Sequence, residues 1–170
     1  MKKLTAITLS ICILSLVTSC GMQTNIDQQE SKWKVYCNVA YKISLNYPKA
    51  WEFTTVDRCE GEDGFFQICA FSGKDLSIDQ VAENDAFHKL KPYGDDPQIM
   101  DLEIDEQEAR LILPSTDQPK EMQNQAALIV KYPTEIELDN NIYYYLILWA
   151  DKDHIEQIGQ SLTFIDEYSE

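Results

Sequence analysis

Eight consecutive residues, Ile142-Tyr-Tyr-Tyr-Leu-Ile-Leu-Trp149, are all apolar or aromatic. A strand with one wet face alternates apolar and polar side chains, so a strand without alternation must be covered on both faces. The chain is therefore expected to build a sheet with further structure packed on each side.

The surrounding pattern supplies the other elements. Tyr41-Lys-Ile-Ser-Leu-Asn-Tyr47 alternates with period two, which places Tyr41, Ile43, Leu45 and Tyr47 on one face, and Pro48 ends the run because it cannot donate to a ladder. Trp51–Val56 and Phe65–Phe71 read as strands joined through Glu60-Gly-Glu-Asp-Gly64, where Asp63-Gly64 is a hairpin signal. The three strands together read as a meander. Ser77-Ile-Asp-Gln80 fits a capping box, and Ile78, Val81, Ala82, Ala86 and Leu90 follow at helical spacing, which predicts a helix over 77–90 closed by Pro92 and Gly94. Ile99–Ile104 and Ala109–Leu113 are expected as strands around the turn Asp105-Glu-Gln107, followed by a loop from Pro114 to Pro119 and a strand over Ala126–Tyr132. Asp151 is the expected N-cap of a second helix with Ile155, Ile158 and Leu162 on its buried stripe, leaving Thr163 to Ile165 extended. The expected class is α+β, in a single domain.

The first residues point to a destination. Lys2 and Lys3 precede an apolar run from Leu4 to Val17, and Val17-Thr18-Ser19-Cys20 matches a bacterial lipobox, with small residues directly before an acceptor cysteine. The run is 14 residues long, against roughly 20 needed to cross a bilayer as a helix, which favours a processed signal over a membrane span. Residues 1–19 are thus expected to be removed as a signal peptide, with Cys20 carrying diacylglycerol as the new N-terminus. Residues 20–32 are polar and read as a tether, and the globular domain is expected over 33–170. Two acyl chains anchor stably, so the partner expected first is the membrane itself, with the domain on the extracytoplasmic face.

Beyond residue 19 the chain keeps 12 basic residues against 29 acidic ones, a formal charge of −17. Phosphate contacts need clustered Lys and Arg, so nucleic acid is not an expected partner. Repulsion from anionic headgroups is expected to hold the folded domain as a whole off the bilayer. A surface of one sign mainly serves solubility, and it also leaves room for a cation or a cationic peptide as ligand.

Cys37, Cys59 and Cys69 remain after processing, an odd number in a compartment that permits disulfides. A three-residue loop, Asp63-Gly64-Phe65, would set Cys59 opposite Cys69, whereas a hairpin around Tyr47-Pro48-Lys49 would oppose Cys37 and Cys59. The glycine turn is the better determined, so Cys59–Cys69 is the expected bridge, contributing about 2–3 kcal/mol as structural support. Three unpaired thiols are the alternative, since a slip of one residue in either register removes the pairing.

No catalytic constellation is visible. His88 and His154 lack a local metal-ligand partner and are expected on helix surfaces, and there is no nucleophile elbow, phosphate loop or dinucleotide fingerprint. Asp57, Glu60, Glu62 and Asp63, and then Asp95, Asp96 and Asp101, offer oxygen ligands without the spacing of a calcium loop, so solvated turns are expected and no metal or cofactor. A hydrolase or redox activity would require a free cysteine or unrecognised carboxylates.

Two segments carry a family likeness. Tyr41-Lys-Ile-Ser-Leu-Asn-Tyr-Pro-Lys-Ala-Trp-Glu-Phe53 resembles the opening of PsbP-like domains, and His154-Ile-Glu-Gln-Ile-Gly-Gln-Ser-Leu-Thr-Phe164 is similar to their final helix with its Ser-x-x-Phe ending. That resemblance implies a three-layer α/β/α sandwich on a mainly antiparallel sheet. It also implies a non-catalytic accessory or binding role, as in photosynthetic accessory proteins, a nuclear transport cofactor and many bacterial lipoproteins.

Overall fold

The computed structural model describes residues 32–122 and 124–165. Ten strands and two helices follow one another as β1 (Trp33–Asn38), β2 (Ile43–Pro48), β3 (Glu52–Phe53), β4 (Arg58–Glu60), β5 (Phe65–Phe71), α1 (Ile78–Ala86), β6 (Gln98–Ile104), β7 (Gln107–Leu113), β8 (Gln125–Leu138), β9 (Asn141–Asp151), α2 (Ile155–Gln160) and β10 (Thr163–Phe164). Seven strands form one sheet in the order β3-β4-β5-β9-β8-β7-β6, and β1-β2-β10 form a second. All pairs are antiparallel.

The unbroken apolar run lies on β9 in the centre of the larger sheet, and alternation along β8 and β9 feeds two separate cores. Leu128, Val130, Leu146 and Leu148 face one core together with Ile43, Leu45 and Tyr47 of β2 and Ile155, Ile158 and Leu162 at the chain's end. Ala127, Ile129, Tyr145 and Ile147 face the other, with Ile78, Val81, Ala82 and Ala86 of α1 and Tyr93. Each large aliphatic side chain so buried contributes roughly 1.5–3 kcal/mol, and that is why a strand with no polar side is stable here. On the α1 side a polar brace completes the packing: Tyr93 Oη donates to Asp85 Oδ2 at 2.6 Å and accepts from Trp149 Nε1 at 3.1 Å. Burial raises the Asp85 carboxyl above its ordinary range, the Tyr93 hydrogen bond opposing the shift.

The strands and helices fit the expected α+β domain, and the three-layer α/β/α arrangement is not confirmed. One face of the large sheet carries α1, but the other carries the small sheet as well as α2, which has only six residues and cannot cover a face alone. The meander needs correction: β2 pairs with β1 and β10, not β3, because Pro48 ends its ladder and Trp51 turns into the core at 2% exposure. Of the strand expected over Trp51–Val56 only β3 forms.

Helix α1 starts as its sequence dictates. Ser77 caps it through a complete capping box with Gln80. It stops at Ala86, four residues short of expectation, and Leu90 is 65% exposed. Glu83 and Asp85 sit at its negative end with no basic residue in the last turn, which weakens that end. Asp151 does not cap α2. It ends β9, and His154 occupies the cap position without a side-chain cap bond. The β6–β7 turn is tighter than expected: Asp105 and Glu106, both at positive φ, close it with Ile104 opposite Gln107. Asp139 and Asn140 do the same between β8 and β9. β8 runs past Tyr132 to Leu138, and its register shifts between Lys131 and Ile136, where Pro133 has no amide hydrogen to donate.

The thiols are the last correction. Cys37, Cys59 and Cys69 are unbonded. The β4–β5 hairpin closes on Glu60 opposite Phe65, with residues 61–64 in the loop instead of the expected 63–65, so Cys59 faces Phe66 and Cys69 faces Ile147 on β9. Cys37 faces Ser44 in the other sheet, which also removes the Cys37–Cys59 alternative.

Candidate functional site

The β4–β5 loop, Gly61-Glu62-Asp63-Gly64, is closed by Gly61 N donating to Gly64 O at 2.8 Å. Both glycines are dictated by what lies beneath. A Cβ on Gly61 would fall 2.0 Å from Trp51 Cδ1, and one on Gly64 would fall 2.0 Å from Asp151 Oδ2. The loop backbone thus rests directly on an indole ring and a carboxylate.

Those two groups are tied to two more. Trp51 Nε1 donates to Asp63 Oδ1 at 2.6 Å. Asp151, 5% exposed, accepts from Phe65 N through Oδ2 at 3.2 Å and from Asp153 N through Oδ1 at 3.1 Å. His154 Nδ1 lies 2.8 Å from the same Oδ1, its Nε2 lies 3.7 Å from Asp63 Oδ2, and its ring stands edge-on to Trp51 at 4.9 Å. The circuit runs Trp51, Asp63, His154, Asp151 and back through the loop backbone. A carboxylate at Asp151 makes Nδ1 the protonated ring nitrogen of His154. The Trp51 hydrogen bond, helped by the nearby His154, holds the Asp63 carboxyl below the usual carboxylate range.

Over this circuit opens a cavity of about 340 Å³ lined by Glu60, Glu62, Asp63, Asp151 and Asp153, with Asn124 and the loop backbone completing it. Five carboxyl side chains and no basic one suit a cation or a donor-rich group. His154 and Asp151 have the relation of a base and its orienting carboxylate, but Nε2 faces a second carboxylate and not a hydroxyl or thiol, and the lining holds no Ser, Thr, Cys, Tyr or Lys.

Sequence reasoning placed Glu60, Glu62 and Asp63 in a solvated turn, and the fold brings them together with Asp151 and Asp153. Asp57 instead accepts from Thr55 Oγ1, Asp95 pairs with Lys91, Asp96 N takes a bond to Ser115 Oγ at 3.4 Å, and Asp101 pairs with Arg110 at 3.0 Å. Among the described residues no group of three or more His, Cys, Asp or Glu side chains is arranged to hold a metal ion. His88 is exposed, with Nδ1 accepting from Leu90 N at 3.3 Å. His154 is not the helix-surface residue expected. Cys20 lies outside the described residues, as do 1–19 and all of the tether except Lys32. Among the described residues no helix is long and apolar enough to cross a membrane.

No protein-family model matches the chain, and no curated protein does. Among solved structures it is similar to the solution structure of cyanobacterial PsbP (CyanoP) from Synechocystis sp. PCC 6803, at 11% sequence identity and a TM-score of 0.40, with 87% of this chain and 98% of that chain covered. A likeness of that depth assigns no function.

Proposed function

We propose that the protein is an exported lipoprotein, cleaved before Cys20 and acylated on it, whose folded domain is a non-catalytic accessory or binding module at the outer face of the cell membrane. The observation that carries this reading is Val17-Thr18-Ser19-Cys20 at the end of a short apolar run, followed by a polar tether and then the domain. The acid-lined cavity, with no hydroxyl, thiol or amine side chain in its lining, fits binding better than transfer to such a nucleophile. That cavity also favours a second reading in which the ligand is a cation or a cationic peptide.

Crosslinking on intact cells tests the first reading. A neighbouring membrane protein captured by the wild type and lost when Cys20→Ala releases the domain supports it. Capture that is identical for the released variant contradicts the need for an anchor. A calcium- or polyamine-dependent rise in melting temperature, abolished by Glu62→Gln with Asp153→Asn, would support the second.

A further inference from the structure

The side of the domain next to the tether differs from the rest in both polarity and charge. Among the large apolar side chains exposed in the described residues, four fall within one stretch directly after the tether: Val35 at 68%, Val39 at 80%, Phe53 at 42% and Val56 at 83%. From Lys32 to Trp51 the sequence holds Lys32, Lys34, Lys42 and Lys49 and not one Asp or Glu, in a chain where acids outnumber bases about two to one. Whatever contacts its individual lysines make, this stretch is positive where the rest is negative.

The fold brings Val39, Phe53 and Val56 of this set to one side, while Val35 alternates with Tyr36 onto the other face of β1. Tyr36 Oη accepts from Asn38 Nδ2 at 2.6 Å and donates to Val56 O at 2.9 Å, and its ring stacks on Phe53 at 5.2 Å. The β1–β2 hairpin tip, where Val39 follows Asn38, is thereby tied to the β3–β4 loop that presents Val56. An open cleft of about 520 Å³ lies there, lined by Tyr36, Phe53, Thr54, Thr55 and Val56. β1 is an edge strand, and its first residue, Trp33, is where the tether joins.

We infer that the β1–β2 hairpin and the β3–β4 loop are the membrane-facing surface of the tethered domain, with Val39, Phe53 and Val56 seated at headgroup level on an anionic bilayer. The inference rests on the anchor proposed above and deepens it. Thirteen residues, 20–32, would span about 20 Å as a random coil, the length of β1 itself, which would put every part of this surface within reach of an acylated Cys20. A domain of charge −17 is repelled by anionic lipid as a whole, and it is least repelled when the acid-free stretch from Lys32 to Trp51 faces the headgroups, with Glu52 and Asp57 the carboxylates that come with the β3–β4 loop, and the more acidic remainder faces away. Exposed valines and a half-exposed phenylalanine then gain apolar contact at the interface.

The test uses the full-length acylated protein in vesicles of phosphatidylglycerol and phosphatidylethanolamine containing a headgroup nitroxide lipid. In a Cys37→Ser background, an environment-sensitive fluorophore is placed at Val56→Cys or at Glu103→Cys on β6, the opposite edge of the seven-stranded sheet. Several-fold stronger quenching at position 56 than at 103 is expected, and a Val39→Asp change, at a site too exposed to disturb folding, should reduce it. Equal quenching at both positions overturns the inference, as does stronger quenching at 103. Protein that carries no acyl chain and fails to float with the vesicles contradicts the anchor instead, so the two failures are distinct.

Discussion

Trp51, Asp63 and the pair Asp151 and His154 come from three separate places in the chain, and each holds another in position. The indole hydrogen bond that lowers the Asp63 carboxyl sets the direction of a pH effect. A carboxyl depressed in the folded state stabilises above the unfolded pKa, and that stability is lost as pH falls through the folded value. Asp63→Asn should therefore show a shallower loss of melting temperature than wild type between about pH 4 and pH 2, near and below the ordinary Asp value. Parallel acid limbs would show that the bond has no energetic weight. The thiols make a second prediction. Burial pushes Cys59 up to about 11, whereas Cys37 is exposed. Iodoacetamide at neutral pH should label Cys37 first and Cys59 only after unfolding, and mass spectrometry without reductant should find no bridge between them. None of this circuit was legible beforehand except its loop. Gly61 and Gly64 marked a turn, but nothing local shows that an indole and a carboxylate from distant segments press against that turn.

At the scale of elements, legibility followed the range of the signal. The start of α1, all of β5 and the buried stripe of α2 were readable because capping chemistry and period-two or helical spacing act within a few residues. The partner of β2, the end of α1 and the role of Asp151 were not, because each is decided by contacts across the fold. The Cys59–Cys69 register failed by three residues, because the loop is Gly61–Gly64 and not Asp63–Phe65, so that Cys59 stands opposite Phe66. The capping box offers a direct measurement: Ser77→Ala should cost about 1 kcal/mol in urea unfolding, and Ser77→Asp should restore most of it. No change on Ser77→Ala would mean that α1 is held by its apolar face alone.

For the whole molecule, the apolar run on β9 announced two covered faces, and two cores are what the sheet divides. What sequence could not give was the composition of the second layer, since whether a period-two segment joins a meander or packs as its own sheet depends on tertiary contacts. Leu128, 1% exposed, lies beneath Gly159 of α2, whose added Cβ would fall 2.4 Å from Leu128 Cδ2. Leu128→Ala should cost 2–5 kcal/mol, roughly the penalty for a buried leucine that leaves a cavity, read from the urea midpoint. A loss under about 1 kcal/mol would mean that α2 collapses readily onto the gap.

The anchor proposed on Cys20 would give the domain its location, its orientation and its access to partners. Metabolic labelling with a clickable fatty-acid probe addresses it directly. The wild-type protein is predicted to take up the probe and to remain with the membrane fraction, while Cys20→Ala takes up none and is released. A wild type without label, or a variant labelled as strongly as the wild type, would contradict the account.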